Sequence, residues 1–296
     1  MKAQYICPVL TAFQEDGAVD MEAMKRLFDH LIKGGLDGIA IMGSSGEFYS
    51  MTLEQAKQFA KDSMEYLKKR IPVYVGTGRL IPEETIELSN YALELGADAV
   101  MIVGPYYIGT SDEGILAYYD RVIGSIRGDV ILYNFPDRTG HDLTAEVILD
   151  LLAKHKNVIG LKDTFGAPSH TRALIRRIKP QYPAFRIYSG YDDNFAHVVN
   201  SGGDGCIAAL SNLIPEVCAS WVQAFRDEDL QKVAEIQQMI DGMMDFYSLS
   251  NPFMPAMKYG LEMVGVSFPT RCQMPVLEVT EQQKAEVEAL LKQNLV

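Results

Sequence analysis

One rhythm constrains this chain more than its composition does. A glycine, then an aspartate, then a short apolar run recur after helical stretches. Gly35-Leu-Asp37-Gly-Ile-Ala-Ile-Met-Gly43 is the first copy and Gly96-Ala-Asp98-Ala-Val-Met-Ile-Val-Gly104 the second. A third copy reads Gly203-Asp204-Gly-Cys-Ile-Ala-Ala. The leading glycine suits the left-handed residue that closes a helix. The apolar run suits a strand covered on both faces. Tyr5–Val9, Ile71–Gly76, Val130–Asn134, Val158–Lys162 and Phe185–Gly190 are further runs of this kind. The runs follow one another mostly at about 25–35 residues, the length of a βα unit. Helix starts fall between them. Thr52-Leu-Glu-Gln55 is a capping box for a helix reaching about Arg70, Pro82-Glu83-Glu84 is an acidic first turn, and Asp112-Glu113 opens another helix. Strands alternating with helices predict a parallel sheet, and eight units predict a closed (β/α)₈ barrel. An open doubly wound sheet would place a glycine-rich fingerprint after the first strand, where Val9-Leu-Thr-Ala-Phe-Gln14 has none.

The 296 residues allow two domains at about 150 residues each, or one barrel of about 250 residues with additions. The strand rhythm selects the second: a barrel over 1–210 and a helical C-terminal extension over 211–296. Two or three helices are expected there, with starts marked by Pro215, Asp229, Pro252 and the box Thr280-Glu-Gln-Gln283. No Pro/Gly/Ser-rich linker precedes them, so they should pack on the barrel as one structural unit.

A net charge of −12 and a pI near 4.9 argue against a nucleic-acid partner. Lys68-Lys69-Arg70 and Arg172…Arg176-Arg177 are short and read as solvated helix faces. The amino terminus lacks the apolar core of a signal peptide, and no apolar run reaches the ~18 residues of a membrane span. Cys7, Cys206, Cys218 and Cys272 are scattered, as buried reduced thiols of a cytoplasmic protein would be. His30, His141, His155, His170 and His197 show no metal-binding spacing, so neither a metal nor another cofactor is expected. Asp192-Asp193 could serve Mg²⁺, but capping a helix near Asn194 is the simpler role.

In such a barrel the chemistry lies at the carboxyl ends of the strands. Those ends carry Gly43-Ser44-Ser45-Gly46-Glu47, Gly104-Pro-Tyr106-Tyr107, Tyr133-Asn134 followed by Pro136 and Arg138, Lys162-Asp163, and Ser189-Gly-Tyr191. Lys162 shares a strand face with Gly160. Pointing inward, its ammonium would be stripped of water, which favours a neutral amine able to attack a ketone. Pointing outward, it would reach solvent. Gly43–Gly46 is either an anion-holding turn of free N–H groups and hydroxyls or an ordinary Gly/Ser turn. Tyr133 is either a proton donor and acceptor or a core tyrosine. Arg138 is either a carboxylate fork or a surface arginine.

Four motifs occur together in order: Gly43-Ser-Ser-Gly-Glu47, Tyr133-Asn-Phe-Pro136, Gly160-Leu-Lys-Asp163 and Gly202-Gly-Asp-Gly205. With them the whole chain resembles the dihydrodipicolinate synthase/N-acetylneuraminate lyase family of class I, pyruvate-dependent aldolases. The resemblance implies a lyase in which Lys162 forms a Schiff base with pyruvate or another 2-oxo acid. Tyr133 would move protons, Ser44 would relay them, and Tyr107 would come from a neighbouring subunit. Ser45 and the turn amides, Gly46 included, would hold the carboxylate, and Ile207 would lie against the pyruvate. Arg138 in Pro136-Asp-Arg-Thr-Gly140 matches the synthases that take aspartate semialdehyde, which places 4-hydroxy-tetrahydrodipicolinate synthase activity first. Tyr191 and Phe48-Tyr49 are more like the 2-keto-3-deoxygluconate aldolases, the second reading, ahead of N-acetylneuraminate lyase. A non-catalytic paralogue that binds a 2-oxo acid is the alternative of another class. The family also implies a homotetramer built from tight dimers.

Overall fold

The computed structural model describes residues 3–295. Eight parallel strands close into a barrel in chain order. They are β1 (Gln4–Pro8), β2 (Gly38–Ile41), β3 (Val73–Gly76), β4 (Ala99–Val103), β5 (Val130–Asn134), β6 (Val158–Asp163), β7 (Arg186–Ser189) and β8 (Gly205–Ile207). Helices α1 (Met21–Lys33), α2 (Leu53–Leu67), α3 (Pro82–Glu94) and α4 (Asp112–Gly124) follow the first four strands. The single turn α5 (Pro136–Thr139) precedes α6 (Ala145–Lys154), and α7 (Pro168–Ile178) and α8 (Phe195–Asn200) complete the βα repeats before β8. After β8 come α9 (Pro215–Arg226), α10 (Leu230–Met243), α11 (Met254–Met263) and α12 (Glu281–Leu295).

The repeating aspartate has a structural purpose. Asp37, ahead of β2, accepts the Tyr5 N–H at the start of β1 at 2.9 Å. Asp98, ahead of β4, accepts the Val73 N–H of β3 at 2.8 Å. Asp204, ahead of β8, accepts the Ile187 N–H of β7 at 2.8 Å. Asn157 holds the same place before β6, with its amide on the Gly128 carbonyl at 3.0 Å. Each side chain satisfies a polar group where a strand enters the barrel, which buried backbone requires. Gly35 and Gly96 have the expected positive φ of 82° and 96°. In the third copy that glycine is Gly202 (φ 93°), one residue earlier than expected. Gly203 stands too close to Val198 and Ile175 to carry a side chain.

Inward side chains form a compact inner core of Ile6, Ala40, Tyr74, Ala99, Met101, Ile131, Tyr133, Tyr188 and Ile207. A larger apolar layer lies between the barrel and its helices. The capping box at Thr52–Gln55 is present, and Ser111 caps α4 just before Asp112. The four cysteines are buried thiols. Lys68, Lys69, Arg70, Arg172, Arg176 and Arg177 are exposed, as solvated helix faces should be.

The extension differs in detail from expectation. Four helices follow β8, because α9 docks on β1 and α1 as the outer helix of the last repeat while three more follow it. Pro252 does not start a helix. Pro255 occupies the first turn of α11, and Ser250 accepts the Ala256 N–H there. Asp192 and Asp193 do not cap α8, whose flanking Asn194 makes no side-chain cap bond. Asp192 instead accepts the Tyr5 hydroxyl from β1, the Tyr247 hydroxyl from the extension and the Leu210 N–H. Burial holds its carboxyl up at about 6, against the lowering effect of those donors. The extension packs through Trp221 and Phe225 on Phe195, with ring centres 4.6 and 5.4 Å away.

Candidate active site

Strand register brings the candidate side chains together. Tyr133 on β5 pairs with Lys162 on β6, which pairs with Tyr188 on β7. Odd and even positions face opposite ways, so Lys162 and Tyr133 turn into the barrel while Asp163 and Asn134 turn toward the helices. Lys162 is 4% exposed. Its ammonium stands 4.4 Å from the centre of the Tyr133 ring. The Tyr133 hydroxyl lies 3.3 Å from the Ser44 hydroxyl. Ile207 is fully buried in the same inner core.

The turn after β2 is tight. The Gly46 N–H donates to the Gly43 carbonyl at 3.0 Å, and the Glu47 N–H to the Ser44 carbonyl at 3.2 Å. This uses the Gly46 amide within the turn. Ser45 is 6% exposed. Gly76 on β3 permits the approach: a Cβ there would stand 2.0 Å from the Met42 carbonyl oxygen.

Behind this turn lies a buried ion pair that sequence reading missed. Glu47 and Lys258 are both fully buried and meet at 2.6 Å. Lys258 also donates to the Arg271 carbonyl at 2.7 Å, and Glu47 accepts the Gln273 N–H at 2.9 Å. Thr11 donates to the Gly46 carbonyl at 2.8 Å from the other side. Glu47 lies within a recognised motif, but 211 residues separate it from Lys258.

A cavity of about 460 Å³ opens beside the β2 turn at Ser44. Ser44, Phe48, Tyr49, Tyr106, Phe135, Arg138 and Thr139 line it, joined by Asn251, Pro252, Phe253 and Met254 of the extension. The extension residues had no local signal in the sequence. Arg138 is exposed and lies 5.9 Å from the Phe135 ring centre. No carboxylate among the described residues pairs with it. Tyr191 is half-buried and packs edge-on to Tyr247 at 6.1 Å. Burial raises its phenol above the ordinary range, with Asp137 and Tyr133 adding to the effect. Tyr107 stands apart. It is 92% exposed on the loop after β4 with φ 79°, outside the cavity of its own chain.

A closed parallel barrel with a buried lysine and a tyrosine–serine couple at its carboxyl end has the layout of a Schiff-base lyase. Comparison with known proteins makes the class specific. The model of the dihydrodipicolinate synthetase family matches residues 1–294, and the chain belongs to that family. It is 36% identical over 288 residues, 97% of this chain and 95% of the relative, to YagE of Escherichia coli K12, provisionally designated a 2-dehydro-3-deoxy-D-gluconate aldolase. It is 35% identical over 97% of its length, and 95% of the relative, to YjhH of the same organism, provisionally designated a 2-dehydro-3-deoxy-D-pentonate aldolase. A 4-hydroxy-tetrahydrodipicolinate synthase of Kosmotoga olearia is 31% identical over 96% of this chain and 95% of that one. The crystal structure of YagE in complex with pyruvate superposes with a TM-score of 0.97, covering 99% of this chain and 98% of that one. By family the chain is a class I lyase.

Proposed function

We propose that the protein is a 2-dehydro-3-deoxy sugar-acid aldolase that releases pyruvate and an aldehyde, reversibly, through a Schiff base on Lys162. The observation that carries the chemistry is the buried lysine facing the Tyr133–Ser44 couple. The Lys162 amine attacks the C2 carbonyl, and Tyr133 protonates the carbinolamine oxygen, which leaves as water. The iminium draws electrons from the C3–C4 bond. That bond breaks as the C4 hydroxyl gives its proton to Tyr133, and the aldehyde departs. The remaining enamine takes a proton at C3, and water hydrolyses the iminium to release pyruvate and the free lysine. Ser44 relays protons to Tyr133, Ser45 and the turn amides hold the substrate carboxylate, and Ile207 packs against the pyruvyl group.

Whole-length similarity to two aldolases designated for deoxy sugar acids supports the sugar-acid substrate over the synthase reading. Tyr191 and Tyr49 then serve the hydroxyl-bearing end. Arg138 at the cavity supports the second reading, condensation of pyruvate with aspartate semialdehyde. A homotetramer supplies Tyr107 across a subunit boundary, and exposed Leu80, Ile81, Tyr107 and Ile108 give apolar surface for that association. Four buried thiols support a cytoplasmic setting.

Borohydride reduction with pyruvate, followed by peptide mass spectrometry, should place the adduct on Lys162. No adduct there would remove the lyase mechanism and leave a non-catalytic 2-oxo-acid binder. Cleavage of 2-keto-3-deoxygluconate, compared with turnover of pyruvate plus aspartate semialdehyde, ranks the two substrates. A faster synthase reaction would put aspartate semialdehyde ahead of the sugar acid.

A further inference from the structure

On the helix side of β5 and β6, directly behind Tyr133 and Lys162, the next residue of each strand enters a closed polar cluster. Asn134 donates from one amide nitrogen to Asp142 at 2.6 Å and to Asp163 at 2.9 Å. The Asn134 carbonyl oxygen accepts the Leu143 N–H at 3.0 Å. His170, at the start of α7, sits between the same two carboxylates. Its Nδ1 is 3.0 Å from Asp163 and its Nε2 is 3.0 Å from Asp142. Both ring nitrogens face acceptors, and only an imidazolium can donate from both. Thr171 donates to Asp163 at 2.6 Å, and Phe165 stacks on the imidazole at 4.2 Å between ring centres. Asp163 is fully buried. Two carboxylates thus converge on one amide and one cation.

We propose that His170 is a positioning residue which, as an imidazolium bridging Asp142 and Asp163, sets the separation of Lys162 and Tyr133 for Schiff-base chemistry. The coupling is mechanical and electrostatic. Asp163 and Asn134 are covalent neighbours of the two reacting side chains, on strands paired at those positions. Without the cation the two carboxylates repel across Asn134, and the strand ends that carry the site are pushed apart. The charged groups that face His170 are Asp163 from β6 and Asp142 from the loop before α6, with His141 adjacent to Asp142 in that loop. From β5 comes Asn134, neutral, and from its own helix Thr171. This role rests on the proposed lyase function.

The test uses His170→Gln and Asp142→Asn in the full-length protein. Wild type must first show the Lys162 adduct. If it does not, the lyase reading fails and the clamp is not what failed. With the adduct present, His170→Gln should lower kcat and the borohydride trapping rate about tenfold or more, the scale of misplaced reacting groups. KM should move far less. Asp142→Asn leaves His170 one carboxylate, so it should lose its proton at lower pH, and the alkaline fall of the trapping rate should begin at lower pH than in wild type. A role confined to fold stability would lower the melting temperature and leave kcat, measured well below that temperature, unchanged. That outcome, with superimposable pH profiles for Asp142→Asn and wild type, overturns the proposal. If His170→Gln does not fold, the Asp142→Asn pH profile decides alone.

Discussion

Two side chains, Tyr133 and Arg138, carry predictions that separate chemistry from recognition. The Tyr133 ring centre lies 4.4 Å from the Lys162 ammonium, and its hydroxyl is 3.3 Å from that of Ser44. Tyr133→Phe keeps the ring against Lys162 but removes the proton. Its kcat for cleavage should fall by about 10²–10⁴-fold, the usual worth of a general acid–base, while pyruvate trapping on Lys162 slows rather than disappears. Retention of full kcat would take Tyr133 out of the proton path. Arg138 is exposed and lacks a carboxylate partner among the described residues. Arg138→Ala should raise KM for a carboxylate-bearing aldehyde by about 10–100-fold, as losing a charged hydrogen bond of about 1.5–3 kcal/mol requires. Cleavage of a deoxy sugar acid should change little if Arg138 meets only the synthase substrate. Equal loss on both substrates would assign the guanidinium to a group they share.

At the scale of elements, two polar clusters tie loops and strands together. The Glu47–Lys258 pair joins the β2 turn to α11 with both side chains out of water. Lys258→Met would leave a carboxylate buried without its cation, which costs about 3–5 kcal/mol. Denaturant melts should show that loss, and adding Glu47→Leu should recover much of it. A cost below about 1 kcal/mol would mean that water reaches the pair. The cluster behind β5 and β6 gives a pH signature. Hydrogen bonds to Asp142 and Asp163 raise the His170 pKa from 6.5 to about 10. A group whose folded pKa is raised contributes its full stability below the unfolded value and loses it as the pH climbs through the folded one. Melting temperature should therefore decline between about pH 6.5 and about pH 10, and His170→Gln should flatten that decline. An identical slope in the two proteins would show that other groups govern it. Burial tends to raise Asp142, but its bonds from His170 and Asn134 outweigh that and hold it low. Asp142 and His170 therefore both stay charged through the neutral range.

The whole molecule raises a problem of charge and one of assembly. A chain of net charge −12 repels anionic oxo acids at long range. Under the proposed function the attraction has to be local, from the turn amides at Ser44 and Ser45 and the guanidinium of Arg138. The proposed assembly turns on Tyr107, which is exposed and does not line the cavity of its own chain. If a neighbour uses it, mixed oligomers should complement. Tyr107→Phe and Lys162→Ala subunits, each nearly inactive alone, should regain activity when unfolded and refolded together. Random pairing across a two-fold axis would restore about a quarter of the sites. Mixtures no more active than their components would refute a shared site.

Much of this was legible in the chain. Gly–Asp–apolar repeats, helix caps and strand periodicity are local, and they determined eight βα units and therefore the barrel. Once the barrel exists, strand ends are where a site is expected, so the meeting of Lys162, Tyr133 and the Gly43–Gly46 turn at one end of the barrel could be anticipated from sequence. Tertiary structure alone decided what met across long separations. It seated Lys258 on Glu47, closed the cavity with Asn251–Met254, bound Asp192 to tyrosines from both ends of the chain, and placed His170 between two carboxylates. Local pattern reports which way a residue faces. Burial of charge depends on a partner, and the partners here come from distant segments that only the closed barrel brings together.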